Sequence, residues 1–137
     1  MNMVDGAAER EPAGSETVYV SITGLRLKRA RHIFRFFIHA SASLRQARKV
    51  PGNLRAEVKT INGVRHTMTV WESKTAMRRF LYRGAHAQAI RAFPTFATGK
   101  TFGFETRRVP GWDEVHALWL EHGREYAVPE HLEMADR

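Results

Sequence analysis

Cysteine is absent from this chain of 137 residues, which excludes disulfides, thiol catalysis, thiolate metal sites and iron–sulfur clusters. Long apolar runs are missing as well: the longest stretches without a charged residue, 17–25 and 36–44, hold nine residues each. A helix that spans a bilayer needs about 20. We therefore expect a cytoplasmic protein with no membrane partner. Eight Phe, three Trp and three Tyr are enough to build the core of one domain without disulfides.

Acidic residues are scarce: 14 Asp and Glu stand against 22 Lys and Arg, a net charge of +8. The excess is concentrated in two segments, with +9 in 24–59 and +5 in 60–91, while both ends of the chain are acidic. Clustered positive charge is typical of nucleic-acid binding, but it also fits solvated helix faces whose Arg stems cover apolar surface. Binding to nucleic acid is therefore the weaker alternative.

The first half of the chain predicts a leader, a strand and a helix. Residues 1–15 have no hydrophobic period and predict a disordered leader. A β-branched run over 17–22, closed by Gly24, predicts the first strand. Apolar residues then recur at helical spacing and predict a helix whose buried stripe they form. These residues are Leu27, Ala30, Phe34, Phe37, Ile38, Ser41 and Leu44. Pro51 and Gly52 end this helix.

Two strands, 53–60 and 64–71, surround an Asn-Gly pair that predicts a hairpin. A two-residue turn pairs Ile61 with Val64, whereas a three-residue loop pairs Thr60 with Val64. The two registers place opposite sides of the second strand on the same face as Leu54, Ala56 and Val58 of the first. The two-residue turn puts Leu54, Ala56 and Val58 beside Thr67, Thr69 and Trp71; the loop puts them beside His66, Met68 and Val70. We favour the three-residue loop because it gives one fully apolar face.

The second half predicts a helix that starts at the cap residue Ser73, breaks at Gly84 and resumes over 86–93. A strand over 101–109 and a helix entered at Asp113, frayed at Gly123 and carrying Tyr126 follow. The order predicts an α+β fold, a ferredoxin-like βαββαβ sandwich in residues 16–109, with an extra helix and tail in 110–137.

Alternation along the strands divides the predicted sheet into an apolar and a polar face. We expect the helices to cover the apolar face, made of Val18, Val20, Ile22, Leu54, Ala56, Val58, Met68, Val70, Phe102 and Phe104. The uncovered face then carries Tyr19, Ser21, Arg55, Glu57, Lys59, Arg65, Thr67, Thr69, Trp71, Gly103, Glu105 and Arg107. Two such faces can close into a homodimeric barrel around a small molecule.

Two short motifs carry a family resemblance: Thr69–Ser73 (TVWES) at the end of a strand, and Gly84–His86 (GAH) before a short helix. With the order of elements, they resemble the dimeric α/β-barrel superfamily, specifically its antibiotic biosynthesis monooxygenase-like branch. That resemblance implies a homodimer. The members of that family include monooxygenases that act on phenolic polycycles without a cofactor, monooxygenases that degrade haem, and many small proteins with no assigned reaction.

Within that resemblance, Trp71 matches the tryptophan of the family's WxS motif, and His86 matches the histidine that ligates iron in the haem-degrading branch. The chain departs from that branch by Phe80, where a Trp is expected, and by the lack of an Asn on the first strand. We therefore expect no cofactor, with haem as the alternative. The catalytic candidates are Trp71, His86 and Tyr19.

The candidates for binding a small aromatic substrate are Arg55, Arg65, Glu105 and Phe80, since an Arg beside a phenol favours its phenolate. No metal site is expected. His32 and His39 have no carboxylate near them in sequence, and His116 and His122 are six residues apart, which is a poor helical spacing for shared coordination. Two other functions stay open: a ligand-binding or haem-binding module without catalysis, and a basic interaction protein associated with nucleic acid.

Overall fold

The computed structural model describes residues 16–125, so the predicted leader and the tail beyond residue 125, with Tyr126, lie outside the described residues. Five antiparallel strands form one sheet in the order β2-β3-β1-β4-β5. They are β1 (Val18–Leu27), β2 (Asn53–Ile61), β3 (Val64–Trp71), β4 (Ala97–Thr106) and β5 (Arg124–Glu125). The helices are α1 (Ile33–Lys49), α2 (Lys74–Leu81), α3 (Gly84–Phe96) and α4 (Trp112–His122), with a 3-10 turn at Ala30–His32. The predicted ferredoxin-like α+β fold is confirmed.

Helices cover both faces of the sheet. One face, which we name the three-helix face, packs against α1, α2 and α3. The opposite face, which we name the α4 face, packs against Trp112, Val115 and Trp119 of α4. None of the helices within 16–125 is long and apolar enough to cross a membrane.

The prediction of which face the helices cover was wrong. The apolar side chains of β1, Val18, Val20 and Ile22, lie on the α4 face, whereas Tyr19 and Trp71 pack beneath α2. The polar face is thus the one that three helices cover. Alternation along the strands defines both faces, but it does not identify the helix that covers each, and α4, which covers the apolar face, is distant from β1 in the sequence.

Strand β1 continues three residues past Gly24, the glycine that was predicted to close it. A Cβ atom at this position would overlap the indole ring of Trp119. Gly24 therefore allows α4 to approach the sheet closely, and it does not end the strand. The indole N–H of Trp119 donates a hydrogen bond to the carbonyl oxygen of Lys100 on β4, at 2.8 Å.

The hairpin has the two-residue turn, so the favoured three-residue loop was wrong. Asn62 and Gly63 both have positive φ, 51° and 78°, as a type I′ turn requires, and Ile61 pairs with Val64. A bulge between Asn53 and Arg55 then shifts the register of β2. Because of this bulge, Leu54 packs on the α4 face while Ala56 packs on the three-helix face.

The buried side of α1 also differs from the predicted stripe. Its buried residues are Phe36, Ser43 and Ala47. Phe34, Phe37 and Ile38, which were predicted to be buried, are 76%, 53% and 67% exposed. Small side chains at 43 and 47 bring the helix close to the sheet, and the larger stripe is left on the outside. Both stripes have helical spacing, so periodicity did not distinguish them.

The segment from α2 to β4 follows its local signals. The hydroxyl of Ser73 caps α2 by accepting a hydrogen bond from the N–H of Ala76 at 3.1 Å. Gly84, with φ of 54°, separates α2 from α3, as predicted. Pro94 lies within the last turn of α3, so this helix is longer than predicted, and β4 follows at once with its start four residues earlier than predicted.

A pair of histidines joins β3 to α4. The Nδ1 atom of His66 lies 3.3 Å from the carbonyl oxygen of Thr23, so it carries the proton and donates. The Nε2 atom of His66 then accepts from Nδ1 of His116 at 2.9 Å. Burial lowers the pKa of His66 below its ordinary value, against the smaller raising effect of the hydrogen bond to the Thr23 carbonyl, and the charges of His116 and Arg26 add to the lowering.

Because the pKa of His66 is lower in the folded state than in the unfolded chain, the unfolded chain binds more protons as pH falls. We therefore expect the free energy of unfolding to decrease as pH falls below about 6.5. A His66→Leu variant should lose up to about 1.4 kcal/mol per pH unit of that slope, measured by urea unfolding at several pH values. His122→Leu, at an exposed position of α4, is the control. Equal slopes in the wild type and His66→Leu would contradict this assignment.

Candidate functional site

A cavity of about 270 Å³ lies between the three-helix face of the sheet and helices α1, α2 and α3. Its two walls differ in chemistry. The sheet contributes hydroxyl groups, and the helices contribute apolar side chains. A cavity with one polar and one apolar wall fits a ligand that is flat and apolar but carries oxygen or nitrogen on one side.

The hydroxyl wall comes from neighbouring positions on three adjacent strands. Ser21 pairs with Thr69 across β1 and β3, and Thr23 pairs with Thr67 on one side and Thr101 on the other. The hydroxyls of Thr23 and Thr101 lie 3.0 Å apart, and that of Thr101 also donates to the carbonyl oxygen of Ile22 at 3.1 Å. We name Ser21, Thr23, Thr67, Thr69 and Thr101 the hydroxyl patch. Each member can donate and accept hydrogen bonds.

The opposite wall is made mainly of aromatic and aliphatic side chains from the three helices. They include Phe36, Leu44, Met77, Phe80, Ile90 and Phe93. The one buried hydroxyl on this side is that of Ser43 on α1, and its Oγ has no hydrogen-bond partner within residues 16–125. A buried hydroxyl without a partner costs free energy, so Ser43 offers a ligand an unused hydrogen bond.

His86 lines the cavity at the start of α3 and is the imidazole of this site. Its Nδ1 lies 2.7 Å from the carbonyl oxygen of Leu81, so Nδ1 carries the proton and Nε2 is the acceptor. Its ring lies 4.3 Å from that of Phe80, between centroids. Burial lowers the pKa of His86, against the smaller raising effect of the Leu81 carbonyl. The ring is therefore neutral at pH 7, and Nε2 can take a proton.

Gln46 on α1 holds the break between α2 and α3, where His86 begins its helix. Its Oε1 accepts the backbone N–H of His86 at 2.8 Å. Its Nε2 donates to the carbonyl oxygen of Arg83 at 2.9 Å and to that of Phe80 at 3.4 Å. A single side chain thus fixes the position of His86 relative to α1. The sequence alone did not identify Gln46, because its partners are backbone atoms 34 to 40 residues away.

Tyr19 lies on β1 at the edge of the hydroxyl patch and lines the cavity. Its hydroxyl sits directly over Gly103 of β4, where a Cβ atom would overlap it. Burial raises the pKa of Tyr19; the charge of Arg78 opposes this effect, and that of Glu105, its pairing partner on β4, adds to it. Tyr19 is therefore a protonated donor at neutral pH. Glu105 itself is exposed.

The remaining predicted site residues do not line the cavity. Trp71 is fully buried behind it, with its ring 5.2 Å from that of Phe80, and its indole N–H has no partner within 16–125. Arg55 pairs with Glu57 at 3.0 Å, and Glu57 accepts the indole N–H of Trp112 of α4 at 2.9 Å. Arg65 lies over the rings of Phe36 and Phe37. The structure thus brings together Tyr19, Phe80 and His86.

Haem does not fit this cavity. The tautomer of His86 suits metal ligation, since Nε2 is free to coordinate. However, the cavity volume is about 270 Å³, which suits a molecule of two or three rings and is small for a porphyrin. Residues 16–125 contain no group of three His, Asp or Glu that could hold a metal ion.

Replacing Gln46 with Leu removes all three of its hydrogen bonds and leaves the backbone N–H of His86 without its partner, whereas the carbonyl groups of Phe80 and Arg83 keep backbone donors. We expect the free energy of unfolding to fall by about 1–3 kcal/mol, with the NMR signals of the His86 ring shifted because its helix start is no longer fixed. The matched control is Gln88→Leu, an exposed position on α3. Unfolding that is as easy for Gln88→Leu as for Gln46→Leu would refute this role.

No model of a known protein family matches the sequence, and no curated protein matches it. Solved structures do match the fold. SnoaB, a cofactor-independent oxygenase from Streptomyces nogalater, is 16% identical, with a TM-score of 0.56 over 69% of this chain and 97% of its own. PA3566 from Pseudomonas aeruginosa is 12% identical, with a TM-score of 0.58 over 72% of this chain and 100% of its own.

A third structure, from Nitrosomonas europaea, is assigned as an antibiotic biosynthesis monooxygenase. It is 12% identical to this chain, with a TM-score of 0.58 over 67% of this chain and 90% of its own. At such identities the likeness is one of fold, and activity has to be argued from side chains. The chain therefore shares the ferredoxin-like fold of SnoaB and of this antibiotic biosynthesis monooxygenase, the fold that the order of its elements predicted.

Proposed function

We propose that this protein binds a small aromatic molecule of two or three rings in the cavity and oxygenates it without a cofactor. The observation that carries the proposal is the composition of the cavity: a hydroxyl wall faces an aromatic wall, and a neutral imidazole of fixed tautomer lies beside them. The fold shared with SnoaB, a cofactor-independent oxygenase, supports the same reaction class. A cytoplasmic location is part of the proposal.

The ligand would lie with its ring plane against Phe80 and its oxygen atoms toward the hydroxyl patch. Aromatic rings gain most from offset or edge contacts with other rings, and Phe80 offers these. Phenol or carbonyl oxygens need donors, which Tyr19, Ser43 and the hydroxyl patch supply. This arrangement differs from the predicted lumen between two sheets, because the cavity lies within one subunit.

The reaction requires one base and one hydrogen-bond donor from the protein. Nε2 of His86 takes a proton from a methylene carbon that is conjugated with a carbonyl group through the fused rings, and Tyr19 stabilises the resulting enolate oxygen by a hydrogen bond. The electron-rich enolate then reacts with O₂. The methylene carbon loses two hydrogens and gains one oxygen atom, and the second oxygen atom leaves with both hydrogens as water. The substrate supplies all four electrons, so no external reductant is required.

We expect oxygen uptake with an anthrone-type substrate in the presence of a chelator and without any added cofactor. His86→Gln should lower kcat by at least about 100-fold, the usual contribution of a general base, with KM almost unchanged. The rate should fall in acid with an inflection below the ordinary imidazole pKa of about 6.5, because burial lowers the pKa of His86 and only the neutral ring is a base. His122→Gln, on the α4 side of the molecule, is the control.

The outcomes of this experiment separate the functions that remain open. Substrate binding is measured by the quenching of tryptophan fluorescence. Binding without oxygen uptake would make the protein a ligand-binding module without catalysis. Absence of both binding and uptake would contradict the proposed site. Uptake that survives in His86→Gln would remove His86 from the reaction and leave the cavity as a binding site.

We propose further that two copies associate through the part of the α4 face that α4 leaves open. Phe102 and Phe104 of β4 stack with their ring centroids 5.6 Å apart, and they line an open groove of about 700 Å³ beside Leu118 of α4. Apolar rings along a groove are typical of the centre of an interface between copies. The homodimer expected from the resemblance would use this strip.

A Phe104→Glu substitution should convert the dimer to a monomer of 15.7 kDa, because it places a charge at the centre of the interface. The measurement is light scattering coupled to size-exclusion chromatography. Phe34→Glu, on the outer side of α1, is the control and should keep the mass of the dimer. A monomeric wild-type protein would contradict the proposed association.

A further inference from the structure

The outer side of α1 carries an apolar patch that no described element covers. Phe34, Phe37 and Ile38 occupy its first two turns and are each more than half exposed. Single exposed apolar residues are common, but three large ones on one helix face are not. The helix retains its inner contacts through Phe36, Ser43 and Ala47, so the patch is not needed to hold α1 on the sheet.

Positive charge surrounds this patch without any acidic residue near it in sequence. Arg29 and Arg31 precede α1 and are exposed. Lys28, also exposed, donates to the carbonyl oxygen of Pro94, and Arg35, in the first turn of α1, lies over the ring of Phe96 at the flank of the patch. From the hairpin, Arg65 reaches the rings of Phe36 and Phe37, with centroid distances of 5.4 and 5.9 Å. Between Glu16 and Glu57 the chain has no Asp or Glu.

Farther along α1, the outward positions become cationic. Ser41 follows the patch, and the exposed Arg45 comes one turn later. Arg45 lies on the same side of the helix as Phe34 and Ser41, because residues separated by three, four, seven or eleven positions share a face. The helix therefore presents apolar side chains at one end of its outer face and an arginine at the other.

We propose that this face attaches the protein peripherally to bilayers that contain anionic lipid. The rings of Phe34 and Phe37 would enter the boundary between headgroups and acyl chains, while the basic residues would contact lipid phosphates. Such attachment does not require a helix that spans the membrane. The short charge-free stretches of the sequence, which predicted no membrane partner, therefore gave no sign of it.

Charge and apolarity together favour a lipid surface over two other partners. A second copy of the same face would bring the two sets of cations against each other, which is repulsive. A nucleic acid would neutralise the cations, but its charged backbone would gain little from the side chains of Phe34, Phe37 and Ile38, which lie on a helix and not on a strand surface where bases stack. An anionic bilayer offers both phosphates and an apolar interior.

The test is sedimentation with vesicles of phosphatidylcholine alone and of phosphatidylcholine mixed with phosphatidylglycerol, using the full chain. Wild-type protein should bind the mixed vesicles and not the neutral ones, and added salt should weaken binding. The double variant Phe34→Ser, Phe37→Ser should bind at least about tenfold more weakly. Arg29→Gln, Arg31→Gln should also weaken binding about tenfold or more at low salt.

The matched control is Leu120→Ser, which removes an exposed apolar side chain from α4, 53% exposed, on the other side of the sheet. It should bind like the wild type. All of these positions are on the surface, and thermal unfolding close to that of the wild type verifies that each variant is folded.

Three results would overturn the proposal. Wild-type protein that does not sediment with mixed vesicles refutes it directly. Binding that depends on the arginines but not on the two phenylalanines makes the surface a general polyanion site, which retention on DNA would then confirm. A lower solution mass in the Phe34→Ser, Phe37→Ser variant makes the patch an interface between copies. None of these results depends on the activity of the cavity.

Discussion

The burial of both faces of β1 is the constraint on which the rest of the structure depends. Alternate side chains of this central strand point to different helical layers, with Val20 and Ile22 against α4 and Tyr19 against α2. Each layer imposes its own chemistry. The α4 side is packed with aliphatic and indole groups, whereas on the three-helix side the hydroxyls of Ser21 and Thr23 leave space for the cavity.

This division shows that a strand face with polar side chains can be covered by helices and need not be exposed to solvent. Thr101 donates to the carbonyl oxygen of Ile22 and accepts from the hydroxyl of Thr23 at 3.0 Å, so these hydroxyls can be covered by helices at little cost. A buried polar surface of this kind is typical of ligand sites, where a few hydrogen-bonding groups orient a molecule that apolar contacts retain.

The order of elements, the turn at Gly84 and the cap at Ser73 could be predicted because each depends on residues close together in sequence. The faces could not, because the partner of Val18, Val20 and Ile22 is a helix about 90 residues away in the chain. The hairpin register failed for another reason. The apolar pattern favoured one pairing, but the backbone of Asn62 and Gly63 favours the other, and the bulge at Leu54 reconciles the pairing with the packing.

The candidate site followed the same rule. His86 was predicted from a short local motif and lies in the cavity, as do Tyr19 and Phe80. Alternation alone predicted Arg55 on the same face as Tyr19. The bulge of β2 contributes to its place on the α4 face, where it pairs with Glu57. Gln46 had no sequence signal because it acts through backbone atoms of distant residues.

The central position of β1 has a consequence for the order in which the molecule opens. Its backbone is hydrogen-bonded to β3 along one edge and to β4 along the other, and helices shield it from both sides. Backbone amides exchange their hydrogens with solvent only when such a unit opens. The amides of β1 should therefore be the last to exchange, and those of the edge strand β5, which has two residues, among the first.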